Sequence, residues 1–273
     1  GKAVKHAAAT IEVAQLSKSF GAHKVLDGVN LSVARGESLV VIGGSGTGKS
    51  VLLRTILGLE SADAGEVLLD GEAASPAVRA RFMRDFGMLF QNAALFDSLP
   101  VWRNVAFRLL RVMPARQARA RAVERLARVG LGPEVADRMP ADLSGGMRKR
   151  VGLARAFATH APILLMDEPF SALDPLIRTR LQDDLLKMQA RAPRTIIFVS
   201  HDLDEAFKLG DRISLMEGGR IVQTGTARDI VRHPASPYVA EFVAHMDPLA
   251  VLTAADLSEP GEAQGMPLSP DLS

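Results

Sequence analysis

Residues Gly43, Gly44, Ser45, Gly46, Thr47, Gly48, Lys49 and Ser50 form a run whose types and spacing suit chemistry on a phosphate chain. They match the pattern G-x-x-x-x-G-K-[ST] and stand after the apolar segment Ser38–Ile42 and before a helix expected over residues 48–59, the context that pattern requires. Glycines without Cβ let backbone N–H groups curl around phosphate oxygens, and the start of a helix adds partial positive charge. Lys49 is then placed to contact the β- and γ-phosphates of a nucleotide, and Ser50 to ligate Mg²⁺. A glycine-rich turn with no ligand is the bland alternative, and the remaining residues weigh against it.

Further along, Ile163-Leu164-Leu165-Met166 is a buried-strand pattern ending in two carboxylates, Asp167 and Glu168. In a parallel sheet that end should lie beside the phosphate loop, at the carboxyl edge where ligands bind. Asp167 is there the Mg²⁺-side carboxylate, and Glu168 the general base that polarises the attacking water. Taken alone, the pair could equally solvate a strand end. His201 follows the apolar run 195–199 through Ser200, where a neutral imidazole can contact the γ-phosphate and organise water. A lone histidine is more often structural. Gln91 follows Leu89-Phe90 and can touch Mg²⁺ or the water; without context it reads equally well as a helix cap or a surface amide.

The elements that must position these residues follow from periodicity. Short β-prone pieces, 11–13 and 29–33, are separated by turn residues around Gly21 and Gly28 and read as small antiparallel strands. Residues 65–71 read as a strand closed by Asp70-Gly71, and residues 86–90 as a buried strand. Residues 92–159 turn helical, with expected helices over 115–129 and 145–158. The basic stretch 116–121 carries no interleaved aromatic residues and reads as a solvated helix face, not a nucleic-acid patch. Strand signals return at 163–166, 195–199 and 213–216 with helices between them, so the back half should form a largely parallel sheet. Residues 1–10 and the tail 247–273, rich in Pro, Gly, Ser and acidic residues, are expected to be disordered in whole or large part.

The composition, 47% hydrophobic and 23% charged over 273 residues, is that of an ordinary globular chain. A net charge of +2 does not call for nucleic acid as a partner. With no cysteine there is no disulfide framework, thiolate metal site or cysteine nucleophile. The apolar stretches are strand-length, well short of the roughly 20 residues of a membrane helix, and the opening residues lack the apolar core of a signal peptide. These features lead to the expectation of a cytoplasmic protein.

Leu143-Ser144-Gly145-Gly146-Met147 resembles the signature sequence of ABC ATPases. With the phosphate loop, Gln91, Asp167-Glu168, Ser171-Ala172-Leu173-Asp174 and His201 all in family order, the resemblance covers roughly residues 11–245. It implies an α/β fold: a P-loop NTPase (RecA-like) core with a mainly parallel sheet, a small antiparallel β subdomain and an ABC-type helical subdomain. The ATPase domain would span 11–246, with the helical subdomain at about 92–159. It also implies ATP and Mg²⁺ as ligands, with Ser50, Gln91 and Asp167 on the metal side. The working form would be a head-to-tail homodimer in which Ser144, Gly145 and Gly146 bind the partner's ATP. A hydroxyl and side-chain-free N–H groups at a helix start suit that task. Phe20 takes the place of the adenine-stacking aromatic, against core packing as the alternative, and Asp174 that of a bridge between subunits. Permease subunits on the inner membrane, and a substrate-binding protein or regulatory subunit, would complete the assembly.

Within the family the two halves resemble different branches. Residues 25–139, above all 86–96, are similar to the ATPase of Mla-type phospholipid transporters. Residues 166–257, with Asp167-Glu168-Pro169-Phe170-Ser171-Ala172-Leu173-Asp174 and Ser200-His201-Asp202-Leu203-Asp204-Glu205-Ala206, are similar to glycine betaine/proline importers. The permease of such systems docks beside Gln91 and the helical insert, so residues 92–139 favour phospholipid transport, with quaternary-amine import as the alternative. A non-transport ABC ATPase of DNA repair or translation is disfavoured by the single cassette and short helical insert.

Overall fold

The computed structural model describes residues 9–245 apart from Ser45, Thr47, Phe86, Gly87, Ala93 and Ala172. Residues 1–8 and 246–273, which hold most of the expected disordered N-terminus and all of the expected tail, lie outside the described residues.

The chain opens with a hairpin of β1 (Ala9–Phe20) and β2 (His23–Ala34), turned at Gly21. With β4 (Ala64–Leu69) and β5 (Glu72–Ala73) it forms a four-stranded antiparallel sheet in the order β2-β1-β4-β5. The short pieces expected from the sequence are instead two 12-residue strands. Gly21 does turn the chain, but Gly28 sits inside β2 with φ 64°, absorbed where the pairing register shifts as at a β-bulge. β1 also starts earlier than expected. The Asp70 N–H donates to Thr10 O at 2.9 Å, so Thr10 belongs to the sheet. Asp70-Gly71 makes the expected turn, with both φ values positive (47° and 80°).

A second sheet carries β3 (Ser38–Ile42), β6 (Met88–Phe90), β7 (Ile163–Asp167), β8 (Thr195–Ser200), β9 (Arg212–Glu217) and β10 (Arg220–Gly225) in the order β10-β9-β3-β8-β7-β6. All pairs are parallel except β9 with β10. Its central strands are apolar on both sides because both faces are covered. Leu39, Val41, Leu165 and Val199 pack toward α1 (Lys49–Leu57) and the antiparallel sheet. Val40, Ile42, Leu164, Met166 and Phe198 face the other way, into a core shared with the helical part.

Residues 92–159 are helical as expected, with α3 (Val101–Val105), α4 (Ala115–Arg128) and α5 (Gly145–Ala158) joined by 3-10 turns. Ala118, Ala122 and Leu126 of α4 are buried, while Arg119 pairs with Asp137 and Arg128 with Asp184. The basic run is therefore an outward face held in part by ion pairs. α6 (Pro175–Arg191) and α7 (Leu203–Leu209) fill the crossovers of the parallel sheet. Among the described residues, β5, α2 (Pro76–Asp85), β10, α8 (Ala227–Arg232) and α9 (Pro237–Ala244) escaped the sequence. Most are short, and β10 has no alternation of buried and exposed positions to betray it. Among the described residues no helix is long and apolar enough to cross a membrane.

Candidate active site

Of the expected site residues, Lys49, Ser50, Gln91, Asp167, Glu168 and His201 gather at the carboxyl edge of the parallel sheet, where β3, β8, β7 and β6 end side by side. β8 separates β3 from β7, so Asp167 is not on the strand next to the phosphate loop, as simple adjacency would have placed it. The gap is bridged by the Ser50 hydroxyl, which hydrogen-bonds to the Asp167 carboxylate.

Gly46 and Gly48 hold positive φ values, 75° and 95°, that side-chain-bearing residues rarely adopt. At Gly48 a Cβ would also lie 2.6 Å from Val25 O, so the loop is pressed against the hairpin. Ser45 and Thr47, assigned to the phosphate cradle, lie outside the described residues. Lys49 is buried; its Nζ donates to Gly43 O at 2.6 Å and Gly44 O at 3.0 Å. Burial pushes its pKa down, while the charges of Glu168 and Asp167 push it back up. The Gly44 backbone also hydrogen-bonds the Tyr238 hydroxyl from α9, a contact no motif announced.

Asp167 is half-buried, and burial raises its carboxyl pKa. The Ser50 hydrogen bond opposes that rise, Glu168 adds to it, and Lys149 and Lys49 oppose it. Glu168 has φ 45°, an uncommon left-handed backbone for a non-glycine residue, of the kind found at functional sites. Its N–H donates to Val199 O at 2.8 Å, and its carbonyl accepts the Ser171 hydroxyl at 2.9 Å. Lys149 of α5 donates to the same Ser171 hydroxyl at 3.1 Å. Beneath the turn Phe170 is fully buried, its ring 5.5 Å from that of Phe198 and 6.4 Å from that of Phe157. His201 Nδ1 lies 3.2 Å from Glu168 Oε1, so the two groups expected to handle the water are already in contact.

Gln91 is 1% exposed, and neither atom of its side-chain amide has a hydrogen-bond partner among the described residues. That excludes the surface-amide reading and leaves a polar group short of a ligand. α5 passes close to it: a Cβ on Gly152 would lie 3.0 Å from Gln91 O, a role for glycine that the sequence did not disclose. A groove of about 420 Å³ opens there, lined by Gln91, Asn92, Leu95, Arg148 and Lys149 among others.

Ser144 caps α5, its Oγ accepting the Met147 N–H at 3.2 Å. Gly145 and Gly146 are exposed, with open space where side chains would stand. Among the described residues no hydrogen bond links this segment to the chain's own phosphate loop. Asp174 caps α6, accepting the N–H groups of Leu176 and Ile177, both at 3.1 Å, and beside it Leu176 is 84% exposed. Phe20 is 46% exposed at the hairpin tip with Lys18 Nζ 5.2 Å from its ring centre, which rules out the core-packing alternative.

The model of the ABC transporter family matches residues 26–171, more than half of the chain. The chain belongs to that family. It is similar to ProV of Salmonella typhimurium, the ATP-binding protein of a glycine betaine/proline betaine transport system, with 41% identity over 94% of this chain and 65% of that one. It is also similar to the sulfate/thiosulfate import ATP-binding protein CysA of Bordetella parapertussis, with 45% identity over 88% of this chain and 68% of that one. A dimeric ATP-binding cassette in a post-hydrolysis state with ADP and phosphate superposes with a TM-score of 0.67. Its identity is 29%, over 79% of this chain and 98% of that one. The chain thus spans just under two thirds of the betaine relative's length.

In this family member Lys49, Asp167, Glu168 and His201 stand together at the carboxyl edge of the parallel sheet, and Ser144, Gly145 and Gly146 stand at the exposed start of α5. Lys149, Gly152, Glu205 and Tyr238 support that site but were not singled out from the sequence. Each lies on a helix where its contact depends on which strand end the helix passes.

Proposed function

We propose that the chain is the ATPase subunit of a bacterial ABC importer and works as a head-to-tail homodimer on the cytoplasmic face of the membrane beneath separate permease subunits. The observation that carries this reading is the half-built site. One edge holds the phosphate loop, paired carboxylates and histidine, while the α5 N-terminus at Ser144, Gly145 and Gly146 is open to the outside, with free space over both glycines. A second copy, turned head to tail, supplies what each edge lacks. The exposed Leu176 beside Asp174 gives such a contact an apolar element.

In this reading Lys49 and the loop N–H groups hold the ATP phosphates, and Phe20 offers its exposed ring to the adenine. Ser50, Asp167 and Gln91 present hydroxyl, carboxylate and amide oxygens, the hard donors that Mg²⁺ prefers. The orphaned Gln91 amide fits such a role. Bound Mg²⁺ would neutralise charge on the phosphates. Glu168 takes a proton from the attacking water, and His201, held at its carboxylate, orients the water and the γ-phosphate. Dimer closure completes the charge stabilisation.

For the transported substrate, quaternary amines such as glycine betaine are favoured over phospholipid. The betaine relative matches over 262 residues, across both halves of the chain, and thereby outweighs the lipid-type likeness of residues 25–139. The test is ATP turnover with reconstituted permease. Glycine betaine, delivered with the matching permease and binding protein, should stimulate hydrolysis severalfold. Stimulation by phospholipid with a lipid permease, and none by betaine, would reverse the assignment.

A further inference from the structure

We propose that Glu205 is a positioning residue that fixes the turn carrying His201, an inference that rests on the hydrolytic reading above. Glu205 lies on α7, is 7% exposed, and among the described residues its carboxylate hydrogen-bonds to Ser200 and Gln182, neither of them assigned to nucleotide or metal. A buried carboxylate is costly unless its oxygens are satisfied, and both of these are. Oε1 accepts the Ser200 hydroxyl at 3.0 Å, and Oε2 accepts the Gln182 amide N–H at 2.8 Å. Burial still holds its pKa above the usual carboxylate range.

The two bonds reach different elements. Ser200 is the last residue of β8 and precedes His201 directly; its Oγ also accepts the Asp202 N–H at 3.0 Å. A serine hydroxyl has one proton and two lone pairs. With the proton drawn to Glu205, a lone pair is left to receive Asp202, and the turn Ser200-His201-Asp202 is pinned from both ends. Asp202 in turn caps α7, which carries Glu205. His201 itself is well exposed, and its Nδ1 meets Glu168 Oε1 at 3.2 Å. Its aim is therefore set by the backbone on which it stands.

The second bond ties this turn to α6. Gln182 receives Lys208 Nζ on its own Oε1 at 3.2 Å, which fixes which end of the amide faces Glu205. α6 begins at the Asp174 cap, so one helix links the loop expected at the subunit interface to the turn that aims His201.

Turnover and thermal stability of the full chain test this with Ser200→Ala, Glu205→Ala, their double variant, Glu205→Gln and the control His201→Ala. Ser200→Ala and Glu205→Ala should each lower kcat roughly 10–100-fold, as misplacement of a catalytic group does, with KM for ATP within about threefold. The double variant should be no worse than the more impaired single one, since both cut one connection. Glu205→Gln keeps an oxygen that accepts the Ser200 hydroxyl but sets its NH2 against the Gln182 NH2, whose orientation Lys208 fixes, so it should recover kcat only in part, to a value between those of Glu205→Ala and the parent. Ser200→Ala removes one buried hydroxyl and should remain folded even if Glu205→Ala does not. Parent-like kcat in Ser200→Ala, beside a His201→Ala variant that is dead, would overturn the inference and leave the functional reading intact. Full turnover in His201→Ala would overturn both.

Discussion

Gln91 shows how stability and function can pull apart at a single residue. Its amide is buried without partners among the described residues, a state that costs about 1–3 kcal/mol and is retained where a ligand is to be met. Gln91→Leu, of similar volume and without polar atoms, should therefore raise the melting temperature by several degrees, at about 2–4 °C per kcal/mol for a chain of this size. It should also lower ATP turnover at least about tenfold. Calorimetry and a steady-state assay on the same preparation check both halves; a destabilised variant with normal turnover would refute this role for the amide. The motif residues Lys49, Asp167, Glu168 and His201 were legible in the sequence because spacing along one chain encodes their convergence at strand ends. Glu205 was not: an acidic residue beside Leu203 and Ala206 looks like any charge on a helix face until Ser200 and Gln182 are seen to close over it.

At the scale of elements, the parallel sheet was readable because strands buried on both faces leave continuous apolar runs, as at Ser38–Ile42 and Thr195–Ser200. The long hairpin was not, because the bulge glycine Gly28 looks like a turn in the sequence. The order of strands was also hidden, and it placed β8 between the phosphate loop and Asp167. The junction from α5 into β7 carries a pH dependence of its own. Arg194 donates to His160 Nδ1 at 3.0 Å, a bond that needs the neutral ring. Burial, with the charges of Arg194, Arg121 and Arg125, holds the His160 pKa below its ordinary 6.5. The folded chain thus binds fewer protons here than the unfolded chain just below that value. This contribution to stability is present above about pH 6.5 and is lost as pH falls toward the lowered pKa. Between about pH 7.5 and 5.5 the parent should lose more melting temperature than His160→Gln, by on the order of a degree or two. Parallel pH profiles for the two proteins would contradict it.

For the whole molecule, the decisive feature of the proposed function is a site shared between two chains. In the proposed reading the groups that bind and hydrolyse ATP stand at the carboxyl edge of the parallel sheet, while the exposed α5 start at Ser144, Gly145 and Gly146 serves the ATP of a second chain. A site shared in this manner would turn over only when two chains meet, making hydrolysis and assembly one event. The most direct measurement is light-scattering mass and ATP turnover of the parent and Glu168→Gln, with and without Mg-ATP. The parent should hydrolyse ATP. Glu168→Gln should bind it, lose at least about a hundredfold in rate, as expected for removal of a general base, and double its mass only when ATP is present. Undiminished hydrolysis by Glu168→Gln, or a mass that ATP leaves unchanged, would contradict a shared site powered by Glu168.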